Sequence, residues 1–239
     1  GQAPSNRMAP AWVHKKFLVP KVRNASHGEE MNKLYIRFKY GVDFLVALIG
    51  LVVTSPLFLI VAIAIKAEDG GTVIFKQLRT GKNGRKFYCY KFRSMKSTDV
   101  AYDKSKRVIR DNNPNLTKVG KVIRKLKIDE LPQLLNVIKG DMCFIAPRPL
   151  LPVFDSDYED WELIKFEMRP GLTGLGQVNG NGYLSIHDRK YYDAYYVMHA
   201  SPWLDIKIVF KTIGVLIFGE RRYLNPVTQA QYAALRREA

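Results

Sequence analysis

Residues 44–65 read FLVALIGLVVTSPLFLIVAIAI, 22 positions without a charge in a chain of 239. A helix of that length extends ~33 Å, enough to cross the ~30 Å hydrocarbon core of a bilayer. Two features oppose a simple crossing. Ser55-Pro56 lies at the middle, where proline removes a backbone donor, crowds the preceding turn and bends the helix. Each arm is then about 11 residues, or ~17 Å, and neither reaches across alone. Thr54 and Ser55 can turn their hydroxyls back to the freed carbonyls. The second feature is charge. Lys33, Arg37 and Lys39 precede the segment, and Lys66, Lys76, Arg79 and Lys82 follow it; a spanning helix usually gathers its basic residues on one flank. These residues leave two readings open. One is a bent helix that enters and leaves by the cytoplasmic face, with Ser55 and Pro56 as the membrane break. The other is an ordinary kinked transmembrane helix. A cleavable signal peptide is excluded by the segment's place in the chain and by the lack of a small-residue cleavage site after it.

Away from this segment the chain is polar and basic. Lys+Arg total 38 against 22 for Asp+Glu, a net charge of +16. Such a surplus predicts an anionic partner: nucleic acid, an anionic membrane surface or a phosphorylated small molecule. The 47% hydrophobic fraction excludes wholesale disorder. Cys89 and Cys143 are too few for a disulfide scaffold or a four-thiolate zinc site, and the four histidines are scattered.

Two β-rich runs, TVIFKQLR (72–79) and KFYCYKF (86–92), flank Gly81-Lys82-Asn83-Gly84 and predict a hairpin. Residues 97–117 are polar and irregular, which predicts a loop. Val119, Val122, Ile123 and Leu126 mark an amphipathic helix over 118–127, with Lys118, Lys121, Arg124, Lys125 and Lys127 on its polar face. A second helix is expected from Asp129, with Pro132 in its first turn and Gly140 closing it. The acidic run 155–162 reads as a solvated face, and the glycine-rich 169–183 as turns. Residues 204–218, preceded by Trp203 and a group of tyrosines, suit the headgroup boundary, with a buried core helix as the alternative.

Asp129 and Glu130 are the sharpest chemical feature. Acids at a helix start are favoured by capping and by the helix dipole. The same environment favours a phosphate bound next to them. A carboxylate held beside a phosphate can attack phosphorus, and Mg²⁺ would bring the two like charges together. Pro147-Arg148-Pro149 fixes the backbone on both sides of one planar donor, either as a plain surface turn or as a phosphate or base contact. The glycines of 171–182 form neither a P-loop nor a clear dinucleotide fingerprint.

Five blocks occur in order: 75-FKQLRTGKNGRKFYCYKFRSM-95, 123-IRKLKIDELPQLLNVIKGDM-142, 144-FIAPRPLL-151, 169-RPGLTGLGQVNG-180 and 202-PWLDIKIVFKTI-213. With the broken apolar segment, they resemble the monotopic phosphoglycosyl transferases of bacteria, the polyprenyl-phosphate sugar-phosphate transferases that start glycoconjugate assembly. The resemblance runs from about Arg37 to Tyr223. It implies an α+β, mostly helical fold with a small hairpin, a re-entrant helix and interfacial amphipathic helices. By it, residues 1–30 are an N-terminal extension or an added segment, 31–68 the membrane-associated helix, 69–223 a cytoplasmic catalytic domain and 224–239 a C-terminal tail. It implies that Asp129 is the nucleophile toward the β-phosphate of a UDP-sugar and a Mg²⁺ ligand, with Glu130 supporting metal and proton handling. Arg124 would hold phosphate, Pro147, Arg148 and Pro149 the nucleotide, and Lys91 and Arg93 would line the same anionic site. The implied partners are a UDP-sugar, polyprenyl (undecaprenyl) phosphate and inner-leaflet lipids, without nucleic acid. Independently of the resemblance, the interfacial stretch 204–218 offers a face for a homodimer. The implied location is the cytoplasmic face of the bacterial inner membrane. Lys125-Leu126-Lys127-Ile128 departs from the Ser or Thr usual before the hydrophobic residue and Asp; Cys143 to Ala146 replace a Ser-aliphatic-Val-Gly run. The rival reading is a basic, membrane-attached binding module without catalysis.

Overall fold

The computed structural model describes residues 27–96 and 113–239. The first element, α1 (His27–Asp69), contains the whole apolar segment, with Pro56 inside it. Proline has no N–H for the carbonyl four residues back, which is that of Val52. Ser55 Oγ donates to that oxygen (2.7 Å), and Thr54 Oγ1 donates to the Gly50 carbonyl (2.6 Å). The hydroxyl before the proline thus repairs the gap that the proline opens.

One stripe of α1 packs on the rest of the molecule. Ala47 joins Phe87, Cys89, Leu134, Val137 and Met142, while Val61 and Ile65 join Phe92 and Ile123. The remaining surface, including Leu45, Ile49, Val52, Val53, Ile60 and Ile63, is exposed. Both ends of α1 are tied down. Near its start, Tyr35 donates to Asp205 (2.6 Å), Lys39 pairs with the same carboxylate, and the Phe144 N–H donates to Asp43 (3.2 Å). At its end, Glu68 accepts the N–H groups of Lys118 (2.6 Å) and Val119 (3.0 Å), and Asp69 pairs with Arg93.

The expected hairpin forms from β1 (Ile74–Thr80) and β2 (Lys86–Phe92), antiparallel with Leu78 opposite Tyr88 and Phe75 opposite Lys91. Asn83 (φ 55°) and Gly84 (φ 74°) turn the chain between them. Most of the expected loop at 97–117 lies outside the described residues; its flanks meet in a bridge between Met95 and Leu116.

Next comes α2 (Lys118–Lys125), capped by the Thr117 hydroxyl. Lys127 then adopts the left-handed conformation (φ 57°) and redirects the chain into a 3₁₀ turn, Ile128–Gln133, before α3 (Leu134–Ile138). A single helix starting at Asp129 is therefore not what forms, and no side chain caps the turn. The physical reason is Pro132, which has no N–H to return to the Ile128 carbonyl, so regular i→i−4 bonding starts only after it. Gly140 (φ 78°) closes α3 as expected.

Two three-residue strands, β3 (Cys143–Ile145) and β4 (Gly171–Thr173), pair in parallel. They lie in the main core with Met168, Val178, Tyr196 and Ile208. The acidic run is not a solvated face throughout: Asp155 is buried against Thr80 (2.9 Å) and Lys86, and Glu162 is buried against Lys190 (2.7 Å) and Tyr232 (2.9 Å). Helix α4 (Ile186–His199) opens on a Ser185–Asp188 capping box. Helix α5 (Pro202–Phe218) buries only Asp205 and Ile208, while Trp203, Phe210, Ile213 and Ile217 are exposed. It is therefore no core helix. A last helix, α6 (Gln229–Glu238), packs on α4 through Leu235 and Tyr232. The fold is mostly helical with two small sheets and one long apolar helix.

Candidate active site

The 3₁₀ turn after α2 carries the two acids, and they meet opposite environments. Glu130 Oε1 accepts from Lys91 Nζ (2.6 Å) and Arg148 Nη2 (2.5 Å), and Arg148 Nη1 lies 3.4 Å from Oε2. Burial opposes ionisation of Glu130, but the Arg148 and Lys91 charges outweigh it and hold the carboxyl well below the usual range. Asp129 is buried and, among the described residues, its carboxylate has no hydrogen-bond or ion-pair partner. Burial pushes its pKa up; Lys91 opposes that, Glu130 adds to it, and Arg124 and Lys127 oppose it more weakly. Among the described residues, one acid is thus engaged and the other is not. Neighbouring carboxyls driven apart in this way are a common mark of an acid pair with divided roles.

Arg148 is built into place from its backbone. The flanking prolines fix φ and donate nothing. Each carbonyl from 147 to 150 is held from a different side. Pro147 accepts from Gly171 N–H (2.9 Å), Arg148 from Lys165 Nζ (3.3 Å), Pro149 from Arg79 Nη1 (3.2 Å) and Leu150 from Thr80 N–H (3.1 Å). A Cβ at Gly171 would overlap the Ala146 backbone, so only glycine lets β4 come this close. Lys165 is itself buried, between Asp193 Oδ2 (2.7 Å) and the Tyr158 hydroxyl (2.9 Å). Burial alone would favour loss of its proton; Asp193 and Tyr158 outweigh that and keep it charged.

Lys91, Glu130 and Arg148 are therefore brought into direct contact, with Asp129 beside them. Arg124 lies half-buried on α2 and acts on Asp129 through its charge. Arg93 pairs with Asp69 at the end of α1, not with Glu130. Several contributors carry no signal in the sequence. Lys127 and Asn181 both donate to Glu220 (3.0 and 2.8 Å), which bounds the same region. Asn136, fully buried on α3, pairs with the edge of β2: it accepts from Tyr90 N–H (3.0 Å) and donates to the Tyr88 carbonyl (2.7 Å), next to Lys91. Lys165 and Asp193 stand 28 residues apart, and neither lies in a recognisable motif; only a buried charge among apolar neighbours could have signalled them.

Residues 34–219 match the sequence profile of the family described as bacterial sugar transferase. The chain belongs to that family. It is thus a phosphoglycosyl transferase, the class its sequence resembles. It is 39% identical over 203 residues to the exopolysaccharide production protein ExoY of Sinorhizobium fredii, covering 77% of this chain and 88% of that protein. It is 42% identical over 193 residues to the UDP-N-acetylgalactosamine-undecaprenyl-phosphate N-acetylgalactosaminephosphotransferase of Aeromonas hydrophila, covering 78% of this chain and 45% of that protein. It is 38% identical over 197 residues to the undecaprenyl-phosphate glucose phosphotransferase of Komagataeibacter xylinus, covering 77% of this chain and 37% of that protein. The chain spans less than half the length of the last two relatives.

For a member of this family, the site offers what phosphoryl transfer needs. Lys91, Arg124, Lys127 and Arg148 supply positive charge, and Asp129 supplies a carboxylate that is unpaired among the described residues. Among the described residues, no group of three or more His, Cys, Asp or Glu side chains is placed to hold a metal ion. Mg²⁺ does not require one, since it is commonly held by one or two carboxylates and substrate phosphates. The free oxygens of Asp129 fit that role; those of Glu130 are taken.

Proposed function

We propose that this chain transfers a sugar 1-phosphate from a UDP-sugar to polyprenyl phosphate, through an ester on Asp129. The observation that carries the reading is the division between the acids: Glu130 is clamped by Lys91 and Arg148, while Asp129 is buried and, among the described residues, unpartnered. In the first step an Asp129 oxygen attacks the β-phosphorus. The Oδ–P bond forms, the bridge to the α-phosphate breaks, and UMP leaves with the bonding pair. Three negative charges enter and three remain, two on UMP and one on the phosphosugar ester. In the second step an oxygen of polyprenyl phosphate attacks the same phosphorus and Asp129 departs as carboxylate, giving the polyprenyl diphosphate sugar.

Arg148, oriented by its four backbone anchors and by Glu130, binds the diphosphate and nucleotide end. Lys91 and Arg124 hold phosphate oxygens and lower the cost of ionising Asp129. Bound Mg²⁺, held by Asp129, would screen the repulsion between carboxylate and diphosphate.

A re-entrant α1 on the cytoplasmic face of the inner membrane fits this chemistry, because it delivers a lipid acceptor to a site open to water. What supports it is the double anchoring of α1. Lys39 and Glu68 are about 44 Å apart along a helix, yet both contact the same catalytic unit. A helix that crossed the bilayer would carry one of them to the other side. The exposed apolar residues of α5 supply an interfacial face beside it.

The test is UMP release by detergent-solubilised protein. Asp129→Asn is expected to lose at least ~10³-fold in rate while remaining folded. The native state holds the Asp129 proton more tightly than the unfolded chain does. Stability is therefore lost as pH rises from the ordinary carboxylate range through the raised pKa. The Asn variant should accordingly melt no lower than wild type at pH 7. UMP release at the wild-type rate by Asp129→Asn would overturn the assignment.

A further inference from the structure

We propose a second anion site, at the turn of the hairpin, that takes the phosphodiester headgroup of an anionic phospholipid. A cavity of about 240 Å³ opens there, with Lys82, Asn83, Arg85, Phe87, Asp141 and Arg169 in its wall. Three of these are cations and one is an acid. Among the described residues, none of the three cations forms an ion pair. An opening with net charge +2 and two guanidinium groups that no carboxylate neutralises among the described residues suits phosphate oxygens, which arginine meets in bidentate fashion.

The cations are held by local structure. The hairpin turn is closed by the Gly81 N–H on the Arg85 carbonyl (2.8 Å), and left-handed Asn83 and Gly84 set the spacing of Lys82 and Arg85. The Arg169 guanidinium lies over the ring of Tyr40 (4.3 Å to its centre), and the Arg169 N–H donates to the Tyr40 hydroxyl (2.9 Å).

Those contacts also fix where the cavity lies. Tyr40 stands one helical turn before Phe44, where the charge-free part of α1 begins. Phe87, in the cavity wall, shares a packed cluster with Ala47, inside that part. The opening therefore sits where α1 meets the headgroups, which rests on the membrane reading given above. It is not the active site. Lys91 is five residues along β2 from Lys86 at the turn, about 17 Å, and Asp129 and Gly140 flank opposite ends of α3.

The experiment uses the full chain in neutral detergent, titrated with dioctanoyl phosphatidylglycerol, dioctanoyl phosphatidylcholine or inorganic phosphate, with binding read by microscale thermophoresis. Saturable binding of phosphatidylglycerol is expected, with none for phosphatidylcholine and far weaker binding of inorganic phosphate. Lys82→Gln/Arg85→Gln, on the exposed turn, should weaken phosphatidylglycerol binding by about 25-fold, roughly fivefold per cation. Arg236→Gln/Arg237→Gln, a charge-matched change on α6, should not. The proposal is overturned if the turn variant binds within twofold of wild type, if phosphatidylcholine binds equally, or if inorganic phosphate binds as well as the lipid. UMP release is measured on the same samples. Turnover without saturable lipid binding defeats this site alone; saturable binding without turnover supports it and defeats the transferase reading alone.

Discussion

At the residue scale, the two adjacent acids are the lesson. Their presence was legible in the sequence, but the difference between their surroundings was not. It depends on Lys91, 39 residues before Glu130, and Arg148, 18 residues after it. Because Lys91 is the strongest influence holding down the pKa of Asp129, its removal has a definite sign. The reactive form is the carboxylate, so activity falls as pH drops through that pKa. Lys91→Met should move the acidic limb of the pH–rate profile to higher pH and lower the maximal rate by ~10²-fold. An unmoved limb would show that Lys91 does not act on the nucleophile. Lys165 was invisible in the sequence because its partners come from other elements. Lys165→Met alone leaves Asp193 buried without its partner, which is destabilising. Lys165→Met/Asp193→Leu removes both charges. That double variant should stay folded by thermal melting, raise the KM for UDP-sugar ~10-fold and weaken UMP binding in parallel, whereas Lys165→Arg keeps most of the affinity. A folded double variant with wild-type KM would mean that the Arg148 carbonyl needs no such anchor.

At the element scale, legibility followed the range of the determining contacts. The hairpin was readable because its turn chemistry is local. The short parallel β3–β4 pair was not, since its strands stand 28 residues apart and three residues carry no period. The helix expected from Asp129 failed on one local fact, the missing N–H of Pro132. The acidic run 155–162 misled because its partners Lys86 and Lys190 lie far along the chain. In α1 the hydroxyl repair at Ser55–Pro56 was foreseeable, whereas the contacts of Lys39 and Glu68 at the two ends were not. Those contacts lead to a topology prediction. Single cysteines at Arg37 and Lys66, both exposed, should both be labelled from the cytoplasmic side by a membrane-impermeant maleimide. The native thiols Cys89 and Cys143 are buried and give little background. Labelling of only one end from that side would contradict a re-entrant helix.

At the scale of the whole molecule, charge and apolar surface are sorted. Most of the large apolar side chains that remain exposed lie on α1 and α5, and the net charge of +16 suits an anionic lipid or an anionic substrate. This sorting would solve a problem of phase in the proposed reaction. Its donor is water-soluble and its acceptor lipid-bound, and one small site need not hold both at once if the phosphosugar waits on the protein between them. The covalent intermediate is therefore the claim on which the account turns. Intact-protein mass spectrometry after incubation with a panel of UDP-sugars and Mg²⁺, with polyprenyl phosphate withheld, tests it most directly. The account predicts a mass gain of one sugar phosphate with the accepted donor, mapped to Asp129, absent in Asp129→Asn and discharged when polyprenyl phosphate is added. Lipid-linked product formed with no such gain at any time after mixing would contradict it.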